Sequence, residues 1–293
     1  MRRERTFTEA ELSTLREVAV TVAREAAVHV RARRAELFGP PGSPESGSVR
    51  TKTTVTDPVT LADTESEDLI RRRLAELRPG DAFLGEETGA DGRPGGAGED
   101  GGVTWVVDPI DGTVNFVYGL PASAVSVAAS VDGHSVAGAV VDIASGDTYS
   151  AAEGLGAHLE TGGARIPLRC NPVTDPALAL VATGFSYSTQ RRARQGELVA
   201  ALLPRVRDIR RVGAAALDLC MVAAGRVDAH YEHGLSPWDW AAGSLIAAEA
   251  GAVIRLPAGS AEAGEITLAV APGIAAEFEA LLNEIGALDA IPN

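Results

Sequence analysis

With 293 residues and 45% apolar content, the chain can bury one large core or two coupled halves. A formal charge of −14 and a pI near 4.8 argue against wrapping nucleic acid or lying on an anionic membrane. Aromatics are only 4%, so Ala, Val and Leu carry the apolar load, and two cysteines, Cys170 and Cys220, are too few for a disulfide framework.

The first residues are charged, and no apolar core follows that would make an export signal. A reduced, cytoplasmic protein with no membrane span is expected. Leu12, Leu15, Val18, Ala19, Val22, Ala23, Ala26 and Ala27 recur at helical spacing, with Thr8 and Glu11 spaced as a capping box at the start. The basic run Arg31–Arg34 reads as a solvated helix end. Residues 39–60, rich in Gly, Pro, Ser and Thr, read as an exposed loop. A second helix follows through LADTESEDLIRRRLAEL and stops at Pro79-Gly80. DAFLGEET reads as a strand ending in Glu86-Glu87, and the half-glycine stretch 89–102 as a surface loop.

VTWVVD, ASAVSVAASVDG, SVAGAVVDIASG and DTYSAAEGLGAHLE are short β-type runs with Gly-rich turns, an antiparallel sheet. The second half alternates: strands at ALALVATGF, IRRVG, AHYEH, VIRL and LAVAP, and helices at RARQGELVAALLPRV, AALDLCMVAAGRV, PWDWAAGSLIAAEAGA and IAAEFEALLNEIGAL. The fold expected is α+β, with an antiparallel sheet in the first half (about 1–165) and α/β alternation in the second (about 166–293). No repeat or clean linker separates them, so residues 1–293 are expected to form one integrated unit.

The chemistry concentrates in WVVDPIDGTVNF, residues 105–116. A buried strand that ends in Asp108-Pro-Ile-Asp111 cannot leave two carboxylates unpartnered in a core. Pro109 stiffens the turn, Gly112 frees the backbone, and Thr113 is placed to cap a short helix whose N-terminus suits a phosphate. Alone, the segment reads equally well as an Asp-rich turn. Three more acidic positions weigh against that: Glu86 after a strand, Asp239 at the helix start in SPWDWAAG, and Asp63 near the start of the second helix. Each has a plain reading as a cap or turn residue. Together they form an all-oxygen set without His or Cys, the donor chemistry of Mg²⁺. Bound cations would also let an acidic protein take an anion. The histidines (His29, His134, His158, His230, His233) have no ligand spacing and read as surface or strand residues.

GEE at 85–87, WVVDPIDGTVNF at 105–116 and PWDWAAGSLIAAEAGA at 237–252 resemble, in order and spacing, the signature segments of the inositol monophosphatase family. Residues 208–235 resemble its bacterial members. The resemblance implies a layered αβαβα sandwich, the sugar-phosphatase fold, and hydrolysis of a small phosphorylated polyol with two or three Mg²⁺ ions per site, in a lithium-sensitive homodimer. It implies that Glu86, Asp108 and the Ile110 carbonyl hold one ion, and that Asp108, Asp111 and Asp239 hold another. Gly112 and Thr113 would meet the phosphate, with Asp111 and Asp239 beside it. Glu86, and Thr113 polarised by Asp63, would direct the attacking water. Gly213, Ala214 and Ala215 would line the polyol side, Glu232 would accept from an inositol hydroxyl, and Lys52 would approach from its loop. Ala214 stands where many relatives carry Ser or Thr, which leaves substrate choice open. Fructose 1,6-bisphosphate, histidinol phosphate and a nucleotide phosphate are alternative substrates. A protein-binding regulator that keeps the fold is the alternative from another class.

Overall fold

A computed structural model describes residues 7–38, 49–51, 58–90 and 102–293. Lys52, Asp57 and the bulk of the Gly-rich stretch lie outside the described residues.

Helix α1 (Glu9–Phe38) opens as its sequence implies. The Thr8 N–H and hydroxyl donate to Glu11 Oε2 at 2.8 and 2.9 Å, and the Glu11 N–H returns to Thr8 Oγ1 at 3.3 Å. The stretch read as one loop contains a ribbon instead: β1 (Val49–Thr51) pairs antiparallel with β2 (Pro58–Thr60). Helix α2 (Leu61–Leu77) starts on a second capping box, in which Thr60 Oγ1 accepts from the Ala62 and Asp63 N–H groups and Asp63 Oδ2 accepts from the Thr60 N–H at 2.8 Å.

The larger sheet collects β3 (Ala82–Gly85), β4 (Gly89–Ala90), β5 (Val103–Asp111), β6 (Ala124–Val131), β7 (His134–Asp142), β8 (Thr148–Ala152), β9 (Ala157–Thr161) and β10 (Ala164–Pro167). Its order is β10-β9-β8-β7-β6-β5-β3-β4, antiparallel except between β3 and β5. Between β5 and β6 lies the six-residue helix α3 (Thr113–Tyr118). Every residue of β6 is buried, as suits a strand covered on both faces.

The second half supplies β11 (Leu180–Thr183), α4 (Thr189–Leu202), β12 (Asp208–Arg210), α5 (Ala215–Ala223), β13 (Ala229–His233), α6 (Pro237–Glu249), β14 (Val253–Arg255), β15 (Ile266–Val270) and α7 (Ala275–Glu284). Their sheet, in the order β12-β11-β13-β15-β14, is mixed: β11 runs parallel to both neighbours and β15 antiparallel to both of its own.

Three apolar clusters define the layers. Residues of α1 and α2 (Leu15, Val22, Ile70) meet one face of the large sheet (Trp105, Val107, Val127). Its other face (Val106, Ala128, Val140) meets α5 and α6 (Leu219, Val222, Ala242, Ile246), which also touch Ala182 and Ala269 of the small sheet. Behind that sheet, Val181, Tyr231 and Leu268 pack on α4 and α7 (Leu198, Leu202, Phe278, Leu282). The result is the αβαβα sandwich, with α5 and α6 as its middle layer.

One buried pair in that middle layer predicts an acid response. His230 on β13 and Asp218 on α5 are both 0% exposed, with Nδ1 and Oδ2 3.9 Å apart and no hydrogen-bond partner for either side chain among the described residues. Burial lowers the His230 pKa from 6.5 to about 3. Between those values the unfolded chain takes up a proton that the folded chain refuses, so stability falls as pH drops through the window. This group alone removes about 2 kcal/mol between pH 7 and pH 5. Urea unfolding at the two pH values should therefore show a smaller acid loss in His230→Phe than in wild type. The slope of opposite sign from Asp218, raised by burial, is common to both chains. Equal acid losses would contradict a neutral His230.

Candidate active site

Strand β5 does not end at Asp108; it continues through Asp111, and the site depends on how. Two residues three apart on a regular strand face opposite sides. Asp108 pairs with Ser126, however, and Asp111 with Ala124, so β5 carries one extra residue across Pro109-Ile110. The bulge restores parity. Asp108 and Asp111 therefore stand opposite Ser126 and Ala124 on the same face of the sheet, the one packed against α5 and α6.

Asp108, 2% exposed, accepts the Ile110 N–H on Oδ1 at 3.0 Å. Asp111, 7% exposed, accepts the Ala216 and Ala215 N–H groups at 2.7 and 3.2 Å, which fixes the first turn of α5 against β5. The chain then turns at Gly112, whose φ of +85° and tight surroundings both require glycine: a Cβ there would lie 2.9 Å from the Ala122 carbonyl oxygen. Gly112, not Thr113, caps α3. The Thr113 hydroxyl is drawn away instead, 3.2 Å from Asp63 Oδ1 and 3.0 Å from the Ile110 carbonyl.

Glu86 follows β3, its N–H on the Val107 carbonyl at 3.1 Å, and Asp239 caps α6 by accepting the Ser236 N–H at 2.7 Å. Both line one pocket with Asp108, Ile110, Asp111, Gly112, Thr113, Gly213, Ala214, Ala215 and Glu232. The plain reading of Asp239 as a cap and its place in the pocket thus hold together. Asp63 lies behind Thr113, outside the lining. Glu87 does not line the pocket; its N–H goes to Glu67 Oε2. The sequence reading missed Gly184, Phe185, Tyr187, Arg211 and Leu235. The available signal was positional: Gly184 and Phe185 follow the C-terminal end of a parallel strand, where open sheets place ligands.

The pocket gathers more negative charge than its one arginine among the described lining residues offsets. Burial, then the charges of Glu86, Asp111 and Asp239, push the Asp108 carboxyl well above the usual range, and Glu86 hydrogen-bonds to it. Burial lifts Asp111 to about 7 against the pull of its N–H donors. Asp239 is raised well above the usual range by burial and by Glu86. Glu232 rises to about 7 through burial, opposed by Arg211. Two carboxyl groups in hydrogen-bond contact need a shared proton or a cation between them. Carboxylate oxygens without His or Cys are a donor set that hard cations such as Mg²⁺ accept. Among the described residues no three such side chains already converge on one ion, so the fit lies in donor type and in the Glu86–Asp108 contact.

The profile of the inositol monophosphatase family matches residues 11–288. The chain belongs to the inositol monophosphatase family. An inositol-1-monophosphatase of Mycobacterium bovis is 55% identical over 285 residues, covering 97% of this chain and 98% of the relative. A Vibrio cholerae relative named Nus factor SuhB is 37% identical over 246 residues, 84% of this chain and 86% of its own. The structure of Mycobacterium tuberculosis SuhB superposes with a TM-score of 0.79 at 52% identity, over 94% of this chain and 98% of that one. Members of the family are phosphatases, and the fold is shared with its solved structures. No helix among the described residues is long and apolar enough to cross a membrane.

Proposed function

We propose that this inositol monophosphatase family member hydrolyses inositol 1-phosphate to inositol and phosphate in the cytoplasm, with Mg²⁺ as cofactor. The observation that carries the reading is the bulge in β5, which sets Asp108 and Asp111 side by side with Glu86 and Asp239. Glu86, Asp108 and the Ile110 carbonyl would hold one ion, and Asp108, Asp111 and Asp239 another, with two or three per site. When bound, such cations supply the positive charge a phosphate requires and acidify a water molecule.

The chain's own groups do the rest. Asp63 Oδ1 accepts the Thr113 hydroxyl proton, which leaves a Thr113 Oγ1 lone pair to accept from the attacking water. Glu86, half-buried beside Asp108, takes a proton from that water. The N–H groups of Gly112 and Thr113 donate to phosphate oxygens. Gly213, Ala214 and Ala215 shape the wall against the alcohol, and Glu232 accepts from one of its hydroxyls. Catalysis of this kind is positioning plus charge stabilisation and needs no covalent intermediate.

The name of the Vibrio relative favours a second reading, a protein-binding regulator. A pure scaffold, however, would carry five carboxylates in one pocket with no use for them. Phosphate release from inositol 1-phosphate with and without Mg²⁺ decides between the two. The expected result is turnover that EDTA abolishes, together with a melting temperature that rises with Mg²⁺; at a hundredfold excess over Kd the gain is about 2.7 kcal/mol. A folded chain with neither response would favour the regulator. We also propose a homodimer, so light scattering should return about twice the chain mass of 30.2 kDa.

A further inference from the structure

Arg211 has no part in the chemistry above, yet it is the one arginine or lysine among the described residues that line the pocket. Its side chain is exposed and makes no hydrogen bond or ion pair with a described residue. In a chain of net charge −14 several arginines, Arg33, Arg73 and Arg205 among them, pair with carboxylates, whereas Arg211 stands unpaired at the mouth of an acidic pocket.

Its placement is built rather than incidental. Arg211 sits between β12 and α5 on a loop held by the Asn115 side chain, which donates to the Val212 carbonyl at 2.9 Å and to the Ala122 carbonyl at 2.8 Å. The guanidinium carbon lies 5.9 Å from the Phe185 ring centre. It also lies across Gly213, where a Cβ would come 2.2 Å from Arg211 Nη1. The Glu232 carboxylate lies in the same way across Gly184, where a Cβ would come 2.0 Å from Oε2. Two glycines thus lay one donor and one acceptor side chain flat on the pocket wall. The two charges sense each other without forming an ion pair, so neither uses up the other's hydrogen-bonding capacity.

We propose that Arg211 and Glu232 together read two neighbouring hydroxyls of the leaving alcohol, the guanidinium donating and the carboxylate accepting. A hydroxyl is both donor and acceptor, so a vicinal diol matches this pair as a simple alcohol does not. The planar fork of arginine offers directed N–H groups that a lysine lacks. Arg211 thereby adds a second reader, beside Glu232, to the inositol ester already proposed as substrate. The inference rests on the phosphomonoesterase reading.

The test compares inositol 1-phosphate with cyclohexyl phosphate, the same ring without hydroxyls, in wild type, Arg211→Gln, Arg211→Lys and Gly184→Ala. Wild type should prefer the inositol ester. In Arg211→Gln the ratio of the two kcat/KM values should fall about tenfold or more, mainly through KM for the inositol ester. Arg211→Lys should restore only part of it. Gly184→Ala, which displaces Glu232 and leaves Arg211 in place, should lower the same ratio. Equal losses on both esters in Arg211→Gln, or full restoration by lysine, would overturn the inference, because Arg211 would then be a plain attractor for the phosphate. A wild-type chain inert toward both esters would instead remove the phosphatase reading, and this inference with it.

Discussion

Asp108→Asn should cost on the order of 10³-fold in phosphate release while leaving the protein as stable as wild type, or more so. The substitution is nearly isosteric, and an amide oxygen can still accept the Ile110 N–H that Asp108 Oδ1 accepts at 3.0 Å. What it removes is one negative charge from a pocket where Glu86, Asp111 and Asp239 all push the Asp108 carboxyl upward. A group that burial and like charges disfavour in its ionised form destabilises the fold at neutral pH. Neutralising it should therefore hold or raise the melting temperature in EDTA. The same change should erase the further rise produced by Mg²⁺, because Asp108 is the carboxylate assigned to both ions. Activity and stability thus move in opposite directions, a pattern that simple unfolding cannot imitate. Full turnover in Asp108→Asn would place the chemistry elsewhere in the pocket; a melting temperature several degrees below wild type would make the carboxylate a structural anchor.

Much of this was legible in the sequence because the relevant signals are local. The helical spacing of Leu12, Leu15, Ala19 and Val22, the capping pair Thr8/Glu11, and the glycines between strands act within a few residues. The acidic set was legible too, since oxygen donors at strand ends and helix starts are a matter of residue type. What escaped depends on pairing. A one-residue register shift between β5 and β6 leaves no trace in periodicity, and it decides whether Asp108 and Asp111 face the same side. The β1–β2 ribbon hid because residues 49–60 follow directly on the Gly-, Pro- and Ser-rich residues 39–48 and read with them as one loop. Thr113 looked like a cap, and the choice went to Asp63, fifty positions away, whose Oδ1 takes its hydroxyl. Arg211 was overlooked for a related reason: nothing in RRVG says which arginine meets the pocket until Gly213 and Asn115 fix the loop.

The shared middle layer bears on how the halves behave. Helices α5 and α6 pack on the large sheet through Leu219, Ala242 and Ile246 and reach Ala182 and Ala269 of the small one. Asp111 from the first half accepts the N-terminal N–H groups of α5 from the second. We propose on this basis that residues 1–293 fold as one unit, so that loosening α5 would disturb Asp111 and with it the pocket.

Thr113 and Asp63 should separate catalysis from stability. Asp63 is 0% exposed and makes two kinds of contact: Oδ2 accepts the Thr60 N–H in the α2 capping box, and Oδ1 accepts the Thr113 hydroxyl. Asp63→Ala strips both and leaves buried donors without partners, which costs about 2–4 kcal/mol of stability along with activity. Thr113→Val keeps the shape and volume of the side chain and deletes only the hydroxyl. Asp63 retains its cap, so the stability loss should stay near 1 kcal/mol. Turnover, by contrast, should fall by roughly 10²–10⁴-fold, the range for a group that positions or deprotonates a nucleophile. Thr113→Ser restores the hydroxyl and should recover most of the rate. Steady-state phosphate release and urea unfolding on the three variants measure both quantities. If Thr113→Val keeps wild-type turnover, the Asp63–Thr113 contact serves only to hold α2 against the start of α3, and the attacking water is oriented by Glu86 without it.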